Sequence, residues 1–219
     1  MKSVLKRLKI NQSNLINFNH RIHASSLPSN PTMEDYHFSH LLNKGLVAGV
    51  LDGHFSNHCA CFLSKSLPSY IDKYGLLEGF KKQDSDLISL VSQIDTKNIH
   101  KLSVETKMKL MEKLLPAFSG SCGVAATFFQ DRLNIANLGD CRAILGSKNS
   151  NSIKATFLTE DHQPGNPKEY ERLLNEHKGE ITACFDSGDG VLRVLGCLLP
   201  SRFVLLKIGH LGTEDLNGI

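Results

Sequence analysis

One segment constrains the fold of this 219-residue chain more than any other: the run GLVAGVLDGH at residues 45–54. Its apolar stretch, 46–51, is short and bounded by glycine, which is typical of a buried strand rather than a helix. Such a strand delivers Asp52, Gly53 and His54 at its carboxyl end. A carboxylate at the edge of a sheet is partly removed from water, so it needs a cation or a hydrogen-bond donor nearby.

The chemistry of these residues favours a hard metal ion. A carboxylate from Asp52 and a free carbonyl from Gly53 suit Mg²⁺ or Mn²⁺, because both ions prefer oxygen ligands. The acids Glu34 and Asp35, in the preceding loop, could hold metal-bound waters. Spacing alone leaves a second interpretation open, because Asp-Gly is also the commonest turn dipeptide and turn statistics favour a plain turn.

Three segments have the periodicity of helices. The first covers residues 55–71, the second residues 103–116 and the third residues 166–179. The third has the strongest boundary signals, with Asn166 as the N-cap and Gly179 at its end. The side chains expected to face the core are Cys59, Phe62, Leu63 and Leu67 in the first helix, Val104, Met108, Met111 and Leu115 in the second, and Tyr170, Leu173, Leu174 and His177 in the third.

Further strands are predicted along the rest of the chain. Short turns separate the first three of them, which predicts an antiparallel meander. The polar residues 81–100 are expected to form a surface connection. Antiparallel strands combined with peripheral helices define an α+β fold. The predicted strands lie at 121–129, 132–137, 141–146 and 154–158, and around 191–195 and 203–208.

Charge is concentrated at the start of the chain. Residues 1–33 carry five cations and no acid, whereas the remainder carries 20 cations and 22 acids. A basic, acid-poor, amphipathic start is typical of a mitochondrial presequence, and a frayed start of a cytosolic chain is the alternative. We therefore expect a basic segment at 1–23 and a folded domain at 24–219. The domain shows no basic patch for nucleic acid, and no apolar run approaches the roughly 18–20 residues of a membrane span.

Six segments, in order from about residue 24 to residue 203, resemble the metal-dependent protein Ser/Thr phosphatases. Within that family, the CAC that follows Asp-Gly-His and the LLNEH helix are most similar to the mitochondrial pyruvate dehydrogenase phosphatases. Asn30 agrees with that subgroup, because many other members carry a phosphate-binding Arg at this position. The six segments are NPTMEDYHF, VAGVLDGHFSNHCACFLSKSL, SGSCGVAATFF, LNIANLGDCRAILG, LTEDHQPGNPKEYERLLNEH and RVLGCLLPSRF.

The resemblance implies a sandwich of two antiparallel β-sheets flanked by helices (α-β-β-α), with two Mg²⁺ or Mn²⁺ ions at one edge. In such a site the bridged metals activate a water that attacks the phosphorus of a phosphoserine in line. The implied partner is a phosphoprotein, with the pyruvate dehydrogenase complex as the candidate, and the implied location is the mitochondrial matrix, with the cytoplasm as the alternative. The matching site residues are Asp52 as the bridging ligand, Gly53 as a carbonyl ligand, Asp140 as the ligand of a third and weaker metal, Glu34 and Asp35 as acids that bind metal-bound water, and His54 as the general acid for the leaving alkoxide.

Two further acidic ligands of the family are not recognisable downstream. Asp189-Gly190 comes too early to be the second Asp-Gly motif, and after Arg202-Phe203 the family's Gly-Asp is replaced by VLLKIGHLGTEDLNGI. The sequence thus leaves two classes of function open, an active phosphatase and an incomplete, catalytically impaired relative that only binds a partner.

If the chain is the incomplete relative, we expect it to be poorly soluble and to hold its metal weakly. Its activity would be at least ~10³-fold below that of a complete member, a loss of about 4 kcal/mol of transition-state stabilisation. Ordinary activity would instead require ligands from the tail, with Glu214 and Asp215 as the first candidates.

Other combinations of these residue types have simpler explanations. His54, His58, Cys59 and Cys61 could be combined into a zinc site, but the two thiols fall on different helix faces and helix packing is favoured. The pair Asp161-His162 is expected to cap a turn before the third helix. Ser119 is expected to start a strand, since no strand–elbow–helix context surrounds it.

Overall fold

A computed structural model describes residues 21–27, 32–43, 45–92, 101–129, 132–149, 152–179, 184–186 and 188–194. Backbone contacts divide the chain into two units, Met1–Met33 and Glu34–Ile219. In the first unit, residues 21–27 form no regular structure. The helices and strands of the described ranges all belong to the second unit. The predicted amphipathic start, Asn30, the strand at 203–208 and the tail acids lie outside the described residues.

The second unit combines helices with antiparallel strands, so the α+β prediction is confirmed. None of the helices in the described ranges is both long and apolar enough to cross a bilayer. In chain order the elements are β1 (Tyr36–Leu42), β2 (Gly45–His54), α1 (His58–Tyr74), α2 (Leu76–Ser92), α3 (Val104–Leu114), a 3₁₀ turn (Leu115–Phe118), β3 (Gly120–Phe129), β4 (Arg132–Leu138), β5 (Ile144–Asn149), β6 (Ser152–Phe157), α4 (Pro167–Glu176), β7 (Phe185–Asp186) and β8 (Leu192–Arg193).

The main sheet has four antiparallel strands in the order β1-β2-β3-β4. The meander prediction is correct for β3 and β4 and wrong for the third strand, which begins at Ile144 and pairs with β6 in a separate sheet. The reason is that residues 139–143 form a loop held from outside the meander. Gly139 accepts a hydrogen bond from His162, and the Ala143 amide donates to the Thr159 hydroxyl.

The core forms where α1 packs on one face of the main sheet. Val47 and Leu51 of β2 are fully buried there, beside Leu63 and Leu67 of α1. β2 is therefore the expected strand, but it is buried on one face only, because Val50 on the other face is 51% exposed. A carboxylate at the end of this strand can thus lie beside the core without entering it.

The surface connection predicted at 81–100 is wrong for its first part, which continues α2 as far as Ser92. Phe80, Gln83 and Leu87 lie on one helix face and are all buried. A polar Gln83 in the middle of this face interrupts the apolar periodicity, so the amphipathic pattern is not visible in the sequence.

The helix prediction for α3 is confirmed, but its apolar stripe does not face the core. Val104 is 73% exposed and Met108 is 63% exposed, whereas Leu114 on another side of the helix is buried. Ser103 caps this helix by accepting a hydrogen bond from the Thr106 amide. Periodicity therefore identified the helix, while the contacts of Leu114 decided which face is buried.

For α4, the capping prediction is confirmed and the predicted buried stripe is wrong. The Asn166 side chain accepts a hydrogen bond from the Lys168 amide at 3.0 Å. Leu173 is buried as expected, but the second buried residue is Glu169, which Arg172 pairs within the helix. The other three members of the predicted stripe, Tyr170, Leu174 and His177, are exposed.

Ser119 is a structural residue that caps α1 from a distant part of the chain. The side chain of Asn57, the N-cap residue of α1, makes no capping hydrogen bond. The buried Ser119 hydroxyl instead accepts a hydrogen bond from the Cys59 amide at 2.9 Å. We expect Ser119→Ala to lower the free energy of unfolding by about 1–3 kcal/mol, because it removes the acceptor of a buried hydrogen bond from the Cys59 amide. Urea unfolding measures this loss, with the exposed Ser69→Ala in the same helix as the control. Equal losses in the two variants would contradict the capping role.

Candidate functional site

At one end of β2, the structure brings two of the acidic segments that the sequence singled out close together. Gly53 packs against the backbone of Glu34: a Cβ at position 53 would lie 2.5 Å from the Glu34 carbonyl oxygen and 3.2 Å from the Cβ of Ala60. This close approach requires glycine. It places the Glu34-Asp35 segment directly beside Asp52 and Gly53.

Asp52 is exposed, yet its carboxyl has a strongly shifted pKa. Neighbouring protein atoms displace water from the carboxyl, and the charges of Asp35, Asp140 and Glu34 add repulsion, so the pKa is raised to about 6. Each charged neighbour that contributes to this shift is an acid. A group of carboxylates with this mutual repulsion is stabilised by a bound cation.

His54 lies over Gly120 of the neighbouring strand. The two residues are paired in the sheet register, and a Cβ at position 120 would be 2.1 Å from Nε2 of His54. Burial lowers the pKa of the imidazole, while Asp140 and a hydrogen bond to the Asp52 backbone oppose that shift. A lower pKa makes the imidazolium a better proton donor, although fewer molecules carry that proton at neutral pH.

Two thiols, those of Cys122 and Cys141, connect the Asp140 segment to the end of β2. The sequence analysis identified neither of them as a site residue. Cys122 is the register partner of Asp52 and forms a hydrogen bond with the backbone of Asp140. Cys141 forms a hydrogen bond with the backbone of Asp52. Burial raises the pKa of both thiols, so they remain protonated and tie the two acidic segments together.

A second loop supports Asp140 from the other side, and its residues were also missed as site residues. Gln163 donates from Nε2 to Oδ2 of Asp140 at 2.9 Å. Asp161, expected only to cap a turn, forms an ion pair with Arg142, and the Asp161 carbonyl also accepts a hydrogen bond from the Asn166 side chain. The sequence signal was present, since GDCRA and TEDHQPGN each combine short polar residues with glycine, but nothing in the sequence indicates that they meet.

The donor atoms of this site suit Mg²⁺ or Mn²⁺ in kind. Asp52, Asp140, Glu34 and Asp35 all supply carboxylate oxygens, the donors that these ions prefer. Within the described ranges, no three His, Cys, Asp or Glu side chains come close enough together to hold a metal ion. In the part of the chain that the structure describes, these carboxylates therefore do not by themselves make a complete metal site.

The alternative zinc site receives no support from the packing of its four residues. Cys59 is buried in the core under the sheet. Cys61 forms a hydrogen bond with Tyr36, and the ring of His58 contacts the Ser56 hydroxyl at 2.8 Å. These contacts use the side chains in helix packing and in the start of α1.

Both the fold and the sequence of the chain are similar to those of known proteins. The fold is similar to that of a phosphatase from a pathogenic strain of Toxoplasma gondii, with a TM-score of 0.50 at 17% identity over 80% of this chain and 60% of that one. The family model for protein phosphatase 2C matches residues 23–204. The chain belongs to the protein phosphatase 2C family.

Several curated relatives are similar in sequence. Probable protein phosphatase 2C 14 of Arabidopsis thaliana is 30% identical over 71% of this chain and 30% of its own length. The mitochondrial [pyruvate dehydrogenase [acetyl-transferring]]-phosphatase 2 of Homo sapiens is 32% identical over 58% of this chain and 22% of its own length. Protein phosphatase 1L of Bos taurus is 28% identical over 78% of this chain. The matched regions thus span less than half of these relatives, from 22% to 43% of their lengths.

Proposed function

We propose that this chain is a Mg²⁺- or Mn²⁺-dependent protein Ser/Thr phosphatase whose metal site includes the acids around Asp52. Membership of the protein phosphatase 2C family supports the reaction class. The observation that carries the proposal is the close packing of Gly53 on the backbone of Glu34, which places the Glu34-Asp35 segment beside Asp52. A phosphatase that uses hard cations needs such a group of oxygen donors.

Each residue of the site has a defined role in this proposal. Asp52 and the carbonyl of Gly53 would hold the metal pair, Asp140 a further ion, and Glu34 and Asp35 the surrounding waters. When bound, the ions supply charge that polarises the attacking water and offsets the negative phosphoryl oxygens. His54 holds a proton near the reacting group for the serine oxygen that leaves. Gly120 leaves the space that this imidazole occupies.

A Mn²⁺-dependent phosphatase assay on the purified 219-residue chain tests this proposal. A phosphoserine peptide serves as the substrate, and released phosphate is measured with Mn²⁺ and with a chelator. We expect release that requires the metal and is lost in His54→Ala and in Asp52→Asn. Release that persists in the chelator, or is unchanged in both variants, would contradict the proposed site.

The proposed substrate is a phosphoserine protein of the pyruvate dehydrogenase complex. Two observations support it. Human relatives at 32–34% identity are named as phosphatases of pyruvate dehydrogenase, and the CAC and LLNEH segments resemble that subgroup. A phosphorylated pyruvate dehydrogenase subunit should then be hydrolysed faster than an unrelated phosphoserine protein of equal concentration. Equal rates for the two proteins would leave the general phosphatase activity and remove this substrate.

The proposed location is the mitochondrion. Residues 1–33 carry five cations and no acid, and a basic acid-poor start is the signature of import. We expect residues 1–24, fused to a fluorescent reporter, to direct it to mitochondria. A variant with the four cations of this stretch before Arg21 changed to Gln is the control and should remain diffuse. A diffuse signal from the unaltered fusion would contradict the proposal.

A further inference from the structure

Asp140 is held by an amide that belongs to a different loop. The Nε2 of Gln163 donates to Oδ2 of Asp140 at 2.9 Å, and both side chains are partly buried. The amide nitrogen faces the carboxylate because an ionised carboxylate accepts hydrogen bonds but cannot donate them. Gln163 is neutral, so it orients the carboxylate and leaves its negative charge in place.

The backbone around Gln163 is fixed by its neighbours on both sides. His162 and Gly139 form a two-way pair, with the His162 amide donating to the Gly139 carbonyl at 3.0 Å and the Gly139 amide donating to Nδ1 of His162 at 3.2 Å. Pro164, which follows Gln163, is fully buried. The reach of the Gln163 side chain is therefore set by the fold.

Further contacts lock the two loops together without involving the Asp140 carboxylate. The ion pair between Arg142 and Asp161 lies on one side. On the other, the side-chain amide of Asn137 donates to the carbonyls of Gly139 and Glu160, each at 3.1 Å. Since these contacts already hold the two loops together, the hydrogen bond from Gln163 is not needed to join them. Its effect is then on the orientation of the Asp140 carboxylate.

We infer that Gln163 is a positioning residue that orients the Asp140 carboxylate for a divalent cation. This inference rests on the proposed metal-dependent function. Groups that hydrogen-bond a ligating carboxylate fix its orientation, and their loss typically lowers metal affinity 10- to 100-fold. Gln163 acts through Asp140 and does not itself bind the ion.

The test measures Mn²⁺ binding to the 219-residue chain by electron paramagnetic resonance of the free ion. Gln163→Met keeps the length of the side chain and removes the donor, and Gln163→Asn keeps the amide and withdraws it by one methylene group. Asp140→Asn and the double variant Gln163→Met/Asp140→Asn complete the cycle. The control is Lys168→Met, which breaks the exposed pair between Lys168 and Glu160 of the same loop.

We expect Gln163→Met to weaken the Asp140-dependent part of Mn²⁺ binding about tenfold. The double variant should bind Mn²⁺ no more weakly than Asp140→Asn alone, because Gln163 has no other route to the ion. If Gln163→Met fails to fold, as judged by thermal unfolding without metal, Gln163→Asn should show the same loss. The control should bind as the wild-type chain does.

Three results would overturn the inference. The first is equal Mn²⁺ binding by the wild-type chain and the folded Gln163 variants. The second is weaker Mn²⁺ binding by the double variant than by Asp140→Asn, and the third is a wild-type chain that binds no Mn²⁺. A chain whose Mn²⁺ binding depends on Asp140 and is weakened by the Gln163 variants, but that hydrolyses no phosphopeptide, would instead overturn the proposed function alone.

Discussion

Asp52→Asn should remove most divalent-ion binding and reduce phosphopeptide hydrolysis by about 10²–10³-fold. Asparagine keeps the shape of the side chain but removes the charge that would hold both ions, and losing one group that stabilises charge in a transition state costs rates of this order. Calorimetric titration with Mn²⁺ measures the binding, and phosphate release measures the rate.

The same variant should leave the metal-free fold intact or make it more stable. Asp52 is surrounded by acids whose repulsion disfavours its charged form, so its neutralisation relieves that repulsion. Asp86→Asn is the control for Mn²⁺ binding only, because Asp86 lies on α2 and its carboxylate pairs with Lys82 and accepts a hydrogen bond from the Tyr70 hydroxyl. Equal Mn²⁺ affinity in Asp52→Asn and the wild-type chain would contradict the assignment of Asp52 as the main ligand.

Gly53→Ala should both destabilise the fold and displace the acids at positions 34 and 35. The added methyl group would lie 2.5 Å from the Glu34 carbonyl oxygen, and backbone cannot move aside as easily as the end of a flexible side chain. Overpacking of this kind costs about 1–3 kcal/mol. We therefore expect a lower free energy of unfolding in urea together with at least tenfold weaker Mn²⁺ binding.

Gly146→Ala provides the control for this substitution. Gly146 lies on the exposed strand β5, and a Cβ there would have no atom within 4 Å. This variant should unfold and bind Mn²⁺ as the wild-type chain does. If Gly53→Ala behaved in the same way, the Glu34 segment would not pack against β2 as described.

Sequence and structure agree best where the signal is local. The strand that carries Asp52 was predictable because the short apolar run at 46–51 has few other ways to be buried. The Asn166 cap was predictable because its hydrogen bond closes within two residues. Where burial depends on a distant partner the predictions failed, as for the exposed stripe of α3 and the buried Gln83 of α2.

The sequence by itself determined the strand β2, the helices α1, α3 and α4, the acid at the end of β2 and its suitability for a hard cation, because periodicity, capping and donor chemistry act over a few residues. Only the tertiary structure decided that Asp140 lies near Asp52 and that Gln163 holds it. These contacts join residues 23 to 88 positions apart, and they form only when the register of β2 with β3 and the closure of two loops are fixed together. No local pattern encodes that closure, because its free energy comes from the packed sheet and the buried loops as a whole.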